Sequence, residues 1–192
     1  MKTNIERFFD EKAPTWDQSA EKDLARISDL LDSLPLARGM KVLDVACGTG
    51  IITPLLANKT GEKTKGIDIS SEMIKVAKQK YNQNNQLEFE CEDFLSFKET
   101  GYDFIIIFNA YPHFLEPKKV CLSLANAIKP NGYFAILHDI SRKTLHQCHS
   151  HCQNISRELE TPEKEAAVFE DDFKILRSEE SDSHYLILGQ KK

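Results

Sequence analysis

The chain has 192 residues, 41% of them apolar and 29% charged, the balance of a globular protein with length for one two-sided core but not for two ordinary domains. Its 30 acidic against 25 basic side chains leave a net charge of -5, which works against a broad hold on phosphate backbones and disfavours a nucleic-acid partner. The opening MKTNIERFFDEKAPTWDQ carries charges where a secretory signal needs an apolar stretch, and the longest strongly apolar run, Phe104 to Phe108, cannot cross a bilayer, so a cytoplasmic location without membrane insertion is expected.

Along the chain, Leu24, Ile27, Leu31 and Leu34 follow helical spacing until Pro35 and Gly39 punctuate the segment. Lys41 to Ala46 is short, branched and apolar enough for a buried central strand, and a glycine turn then leads into a helix over Ile51 to Asn58. The cycle repeats: Lys63 to Asp68 as strand, Ser70 or Ser71 as cap, and a helix carrying Met73, Ile74, Ala77 and Tyr81 inward. Strands are expected at Leu87 to Cys91, Tyr102 to Phe108 and Gly132 to His138, with a helix over Pro117 to Ile128. Strands alternating with helices imply right-handed crossovers and a doubly wound α/β sheet.

The later pattern is weaker. Helices are expected over Ser141 to Cys152 and Thr161 to Asp171, then strands at Phe173 to Ser178 and His184 to Leu188. With no helix between them, these two strands point to an antiparallel hairpin finishing the sheet. Five cysteines (Cys47, Cys91, Cys121, Cys148 and Cys152) form an odd set without a secretion context, which favours buried thiols over a disulfide framework.

The strongest local feature is Val42-Leu-Asp-Val-Ala-Cys-Gly-Thr-Gly50. Glycines 48 and 50 let a ligand approach the backbone, and the helix start beyond them offers free N–H groups. Asp68 ends the second strand 20 residues after Gly48, where a carboxylate can accept from both hydroxyls of an adenosine ribose; the alternative is a simple cap on the next helix. A nicotinamide dinucleotide fingerprint asks for a small third residue where Thr53 stands, followed here by Pro54, and a nicotinamide-dependent oxidoreductase is disfavoured accordingly.

The whole pattern resembles the seven-stranded S-adenosylmethionine-dependent methyltransferase superfamily, over nearly the entire chain. The resemblance implies a Rossmann-like fold: a mostly parallel seven-stranded sheet with an antiparallel C-terminal strand, in one domain with a helical cap at 1–38 and the core at 39–192. It implies that Asp44 and the backbone at Gly48 and Gly50 hold the amino-acid end of S-adenosylmethionine and that Asp68 holds the ribose. Cys91-Glu-Asp-Phe94 resembles the stretch that meets adenine, with Asp93 toward the amino group, Phe94 and Ile69 flanking the ring and Met73 a further contact. Phe108-Asn-Ala-Tyr-Pro-His-Phe114 resembles the segment beside the reactive methyl, opened by Asn109; it lacks the Asn-Pro-Pro-Tyr of base-directed enzymes.

Phe8 to Asp17 resembles the N-terminal helix that folds over the cofactor in the small-molecule branch of ubiquinone and menaquinone methyltransferases; an amphipathic helix packed on the sheet is the alternative. A small-molecule acceptor follows, with a catalytically inactive cofactor-binding partner subunit as a second hypothesis.

His113 and His138, at the ends of the fourth and fifth strands, are candidate bases for an acceptor proton; the bland alternative for each is a hydrogen bond to backbone at a strand end. The segment from His138 to Cys152 is rich in histidine and cysteine, which makes His113, His138 and His146 a candidate set for a divalent metal, although no closed zinc spacing is present.

Overall fold

The computed structural model describes residues 2–18, 23–149 and 155–192, with 148 and 149 described in backbone only. The chain forms two compact units, Met1–Phe97 and Lys98–Lys192.

The first unit opens with α1 (Asn4–Lys12), started by a capping box in which Thr3 and Glu6 satisfy each other's backbone N–H. A 3-10 helix, Ala13–Gln18, follows directly. α1 buries no residue, although Phe9 stacks edge-on against both Phe8 and Trp16. Asp23 caps α2 (Leu24–Asp32), which buries Ile27 and Leu31 as its spacing requires, whereas Leu24 in its first turn is 48% exposed.

β1 (Val42–Val45) is buried at all four positions, as expected of a strand covered on both faces. α3 (Thr53–Thr60) begins two residues later than its sequence pattern suggests, at Pro54's first turn, and ends at Gly61 in the left-handed region. β2 (Thr64–Asp68) pairs in parallel with β1 and with β3 (Leu87–Cys91). Ser70 caps α4 (Ser71–Lys80), which lays Met73, Ile74 and Ala77 inward; Ile74 and Ala77 join Cys47 and Phe89 in one apolar cluster.

The second unit runs β4 (Tyr102–Phe108), α5 (Pro117–Ala127) and β5 (Ile128–His138), the two strands pairing in parallel. β5 starts four residues earlier than expected, at Ile128 opposite Tyr102, and a register shift between Tyr102 and Phe104 absorbs the turn residues. α6 spans Arg142–His149. The expected helix over Thr161 to Asp171 is shorter: α7 (Pro162–Ala166) tightens into a 3-10 turn at Ala167–Phe169, where Phe169 is drawn into the core against Phe134. β6 (Phe173–Glu180) and β7 (Tyr185–Lys191) make the expected antiparallel hairpin.

The strand order is β3-β2-β1-β4-β5-β7-β6, with β7 antiparallel to both its neighbours. This is the doubly wound seven-stranded α/β fold. Among the described residues no helix is long and apolar enough to cross a membrane.

Candidate functional site

The turn after β1 has left-handed φ at alternate residues: Ala46 at 55°, Gly48 at 55° and Gly50 at 78°. The turn is held from within: the Cys47 N–H donates to Ile67 O and the Gly50 N–H to Cys47 O, each at 2.9 Å, and the Gly48 N–H donates to Asp68. Ala46 is the surprise, because a residue with a Cβ adopts this region at a cost and concentrates at functional sites.

Two carboxylates lie under and beside the turn. Asp68, 8% exposed at the end of β2, accepts from the Gly48 N–H at 2.8 Å through Oδ2 and from the Ser70 N–H at 2.8 Å through Oδ1. The helix cap is therefore Ser70, whose Oγ accepts from Met73 N–H at 3.1 Å, and Asp68 steadies the turn and the cap together. Burial pushes the Asp68 carboxyl up to about 6, against the lowering effect of its two amide donors.

Asp44 on β1 is 1% exposed and accepts a 2.6 Å hydrogen bond from Thr53 Oγ1. Burial raises it to about 7; the Thr53 bond opposes that shift and the charge of Asp68 adds to it. Thr53 thus occupies the third fingerprint position for a reason the pattern did not reveal. Thr53→Val, close in shape but without the donor, is expected to cost roughly 1–3 kcal/mol in urea unfolding, since it strands a buried carboxylate; an unchanged midpoint would show that Asp44 is satisfied without Thr53.

The N-terminal segment is tied across this turn by polar contacts. Trp16 Nε1 lies 3.8 Å from where a Cβ on Gly48 would stand. Asp17 accepts from Thr49 Oγ1 at 2.6 Å and from Lys80 Nζ at 2.8 Å, and Asp10 accepts from Ser70 Oγ at 2.7 Å and the Glu72 N–H at 3.2 Å. None of these four acidic-side contacts has a local sequence signature, because each joins residues at least 32 positions apart. Phe8 to Asp17 thus lies over the turn and the start of α4.

Beyond β3, Asp93 is exposed and caps the short turn Phe94–Ser96 by accepting from Leu95 N–H at 2.9 Å. Phe94 is buried and tilted against Phe97, Ile69 is half-buried, and Met73 is a core side chain of α4.

In the second unit, Asn109 has a left-handed φ of 54°. Its side chain donates to Asp139 Oδ1 at 2.7 Å and accepts from Asp139 N–H at 3.1 Å, tying the ends of β4 and β5 together. His113 Nδ1 lies 2.9 Å from Ile155 O. His138 is completely buried and edge-on to Tyr185 at 5.8 Å. His146 Nε2 lies 3.1 Å from Leu159 O.

The expected metal set is not assembled. Among the described residues no group of three histidine, cysteine or acidic side chains sits close enough to hold an ion, and His113 and His146 each engage a main-chain carbonyl instead. The side chains of Cys148 and His149, and all of His151 and Cys152, lie outside the described residues. Of the thiols, Cys47 and Cys121 are buried as expected and Cys91, on the β3 sheet edge, is exposed.

A Rossmann-like sheet with a glycine turn after β1 and an acidic residue closing β2 is the arrangement that nucleoside-binding α/β proteins use. A family model described as a methyltransferase domain matches residues 36–184, and the chain belongs to that family. It is 30% identical over 143 residues to the ubiquinone biosynthesis O-methyltransferase of Neisseria meningitidis serogroup C (strain 053442), covering 68% of this chain and 60% of that relative; the chain thus spans about three fifths of its length. In fold it matches a chain of the Haloferax volcanii complex that contains the Trm112 methyltransferase activator, with TM-score 0.80, 18% identity and 99% of each chain covered. A SAM-dependent methyltransferase from Aquifex aeolicus matches with TM-score 0.71 at 23% identity, over 95% of this chain and 98% of that one.

Proposed function

We propose that residues 1–192 act as a single-domain cytoplasmic enzyme that transfers a methyl group from S-adenosylmethionine to a small-molecule acceptor. The observation that carries the reading is Asp68: a nearly buried carboxylate with one backbone amide on each oxygen, and so with one lone pair on each still able to accept a ribose hydroxyl. The residues present fit the cofactor, since the glycine turn lets a ligand approach its backbone and Asp68 offers acceptor lone pairs beside it. Asp93, Phe94 and Ile69 would bound the adenine.

The cofactor supplies, when bound, a methyl carbon made electrophilic by a sulfonium. The protein's task is to align a nucleophile with it and keep water out. Trp16, held over Gly48 by the strap whose Asp17 grips Thr49 and Lys80, suits the second role. For the acceptor proton His113 is the better base of the two histidines: a carbonyl partner at Nδ1 fixes the proton there and makes Nε2 the basic nitrogen, whereas His138 is shut off from solvent.

The test is calorimetric titration with S-adenosylhomocysteine, with NAD as comparison, followed by transfer of labelled methyl to a catechol, a malonyl thioester and glycine. Binding of the homocysteine product alone is expected, with a change in emission from Trp16, the chain's single tryptophan. Binding of NAD instead would overturn the reading, and binding without transfer to any acceptor class would favour a partner subunit over an enzyme.

A further inference from the structure

The turn that follows β4 is closed locally by main-chain bonds alone, from His113 N–H to Ala110 O and from Phe114 N–H to Tyr111 O, each at 3.0 Å. Tyr111–His113 is a single 3-10 turn without a side-chain cap, entered from Asn109 in the left-handed region. Residues far along the chain grip it as well, Arg157 at three points. The Arg157 N–H donates to Pro112 O at 2.9 Å, its Nε donates to Phe114 O at 3.1 Å, and its guanidinium lies 4.7 Å from the centre of the Tyr111 ring.

The guanidinium is fixed in turn by Glu165 on α7, through bonds of 2.6 and 2.9 Å. Glu165 also accepts from the Glu160 N–H at 3.0 Å and the Tyr111 hydroxyl at 3.3 Å. Glu165 is 5% exposed and Tyr111 is completely buried. Both ends of the ion pair therefore act on the same turn, and the adjoining Ile155 carbonyl orients His113 within it.

A buried ion pair is a poor means of stabilising a fold, since desolvation consumes most of the attraction. Its particular merit is directional: a planar fork can hold a carboxylate, a carbonyl and an aromatic face at fixed angles at once, which neither an apolar side chain nor lysine can do.

We propose that Arg157, locked by Glu165, is a positioning residue for methyl transfer: it sets the turn Tyr111–Phe114, and His113 within it, against the acceptor. The inference rests on the reading that this turn borders the acceptor. In this role Arg157 acts through its contacts with the turn.

The experiment compares Arg157→Lys and Glu165→Gln with the unaltered chain. Three measurements are made on the same preparations: S-adenosylhomocysteine affinity, steady-state transfer to whichever of catechol, malonyl thioester or glycine is methylated, and amide hydrogen exchange. Arg157→Lys should bind S-adenosylhomocysteine within about twofold of the original, lose at least about tenfold in kcat, and exchange the His113 and Phe114 amides at least about tenfold faster while the Ala135 and Ile136 amides of β5 stay protected. Glu165→Gln should follow the same pattern more weakly.

Unchanged kcat in both variants, or a loss that only tracks loss of S-adenosylhomocysteine binding, overturns the proposal. Failure of the unaltered chain to bind S-adenosylhomocysteine overturns the functional reading rather than the grip on the turn. Exchange decides that point alone: faster exchange confined to the turn supports it, and uniform or absent change across the second unit sinks it.

Discussion

Gly50→Ala is expected to lower stability by roughly 2–4 kcal/mol and to bring S-adenosylhomocysteine binding below detection. The backbone there has φ of 78°, which an alanine adopts at a cost. Its Cβ would also lie 2.7 Å from both Cε1 and Cζ of Phe89 and 3.1 Å from Cε2 of Tyr81. Those rings are stacked on each other at 5.7 Å, and Phe89 belongs to the apolar cluster with Ile74 and Ala77, so Phe89 does not swing away without opening the core.

The strain must therefore go into the turn, whose Gly50 N–H donates to Cys47 O at 2.9 Å. Gly48→Ala is the matched control. Its φ of 55° carries a similar backbone penalty, but the nearest atom to its Cβ is Trp16 Nε1 at an ordinary 3.8 Å, so about 1 kcal/mol is expected. Urea unfolding of the pair checks the account; equal losses at the two positions would mean that backbone conformation alone, and not the Phe89 contact, makes Gly50 a glycine.

The sequence exposes the elements whose limits are set locally. The strands Leu87 to Cys91 and Tyr102 to Phe108 stand where their patterning places them because turn residues bound both ends, and the glycine turn, Asp68 and the Ser70 cap are legible for the same reason. What stays hidden depends on partners distant in the chain. The helix expected over Thr161 to Asp171 is cut short because Phe169 is recruited by Phe134, and β5 is lengthened by pairing at Tyr102.

The same division runs through the site. The spacing of Gly48, Gly50 and Asp68 is a local signature, whereas the grip of Asp10 on Ser70, of Asp17 on Thr49 and of Arg157 on the turn after β4 has none. Residue type suggests His146 as a metal ligand, but its geometry relative to the main chain, which composition does not carry, gives it the Leu159 carbonyl as partner instead.

Asp68→Ala should weaken S-adenosylhomocysteine binding by about 1–3 kcal/mol, through loss of a charged acceptor for the ribose hydroxyls, and the loss should itself depend on pH. An ordinary aspartate ionises near 3.8, and burial holds Asp68 at about 6 and Asp44 at about 7. Between about pH 4 and 7 the folded state therefore binds more protons than the unfolded one, so these two groups make the unliganded protein less stable as pH rises through that window. Carboxylates held low, such as Glu165 through its bonds from Arg157, act in the reverse sense but only below their ordinary value of 4.5.

Cofactor binding should run the other way, because the ionised carboxylates are the better acceptors for ribose and for the cationic end of S-adenosylmethionine. Affinity should fall on the order of tenfold between pH 8 and 5 through Asp68 alone, while the unliganded melting temperature rises from pH 7 toward pH 5. Asp68→Asn should flatten the lower part of the affinity profile and leave the part due to Asp44. An affinity independent of pH between 5 and 8 would place both carboxylates outside the cofactor site, whatever the alanine variant did.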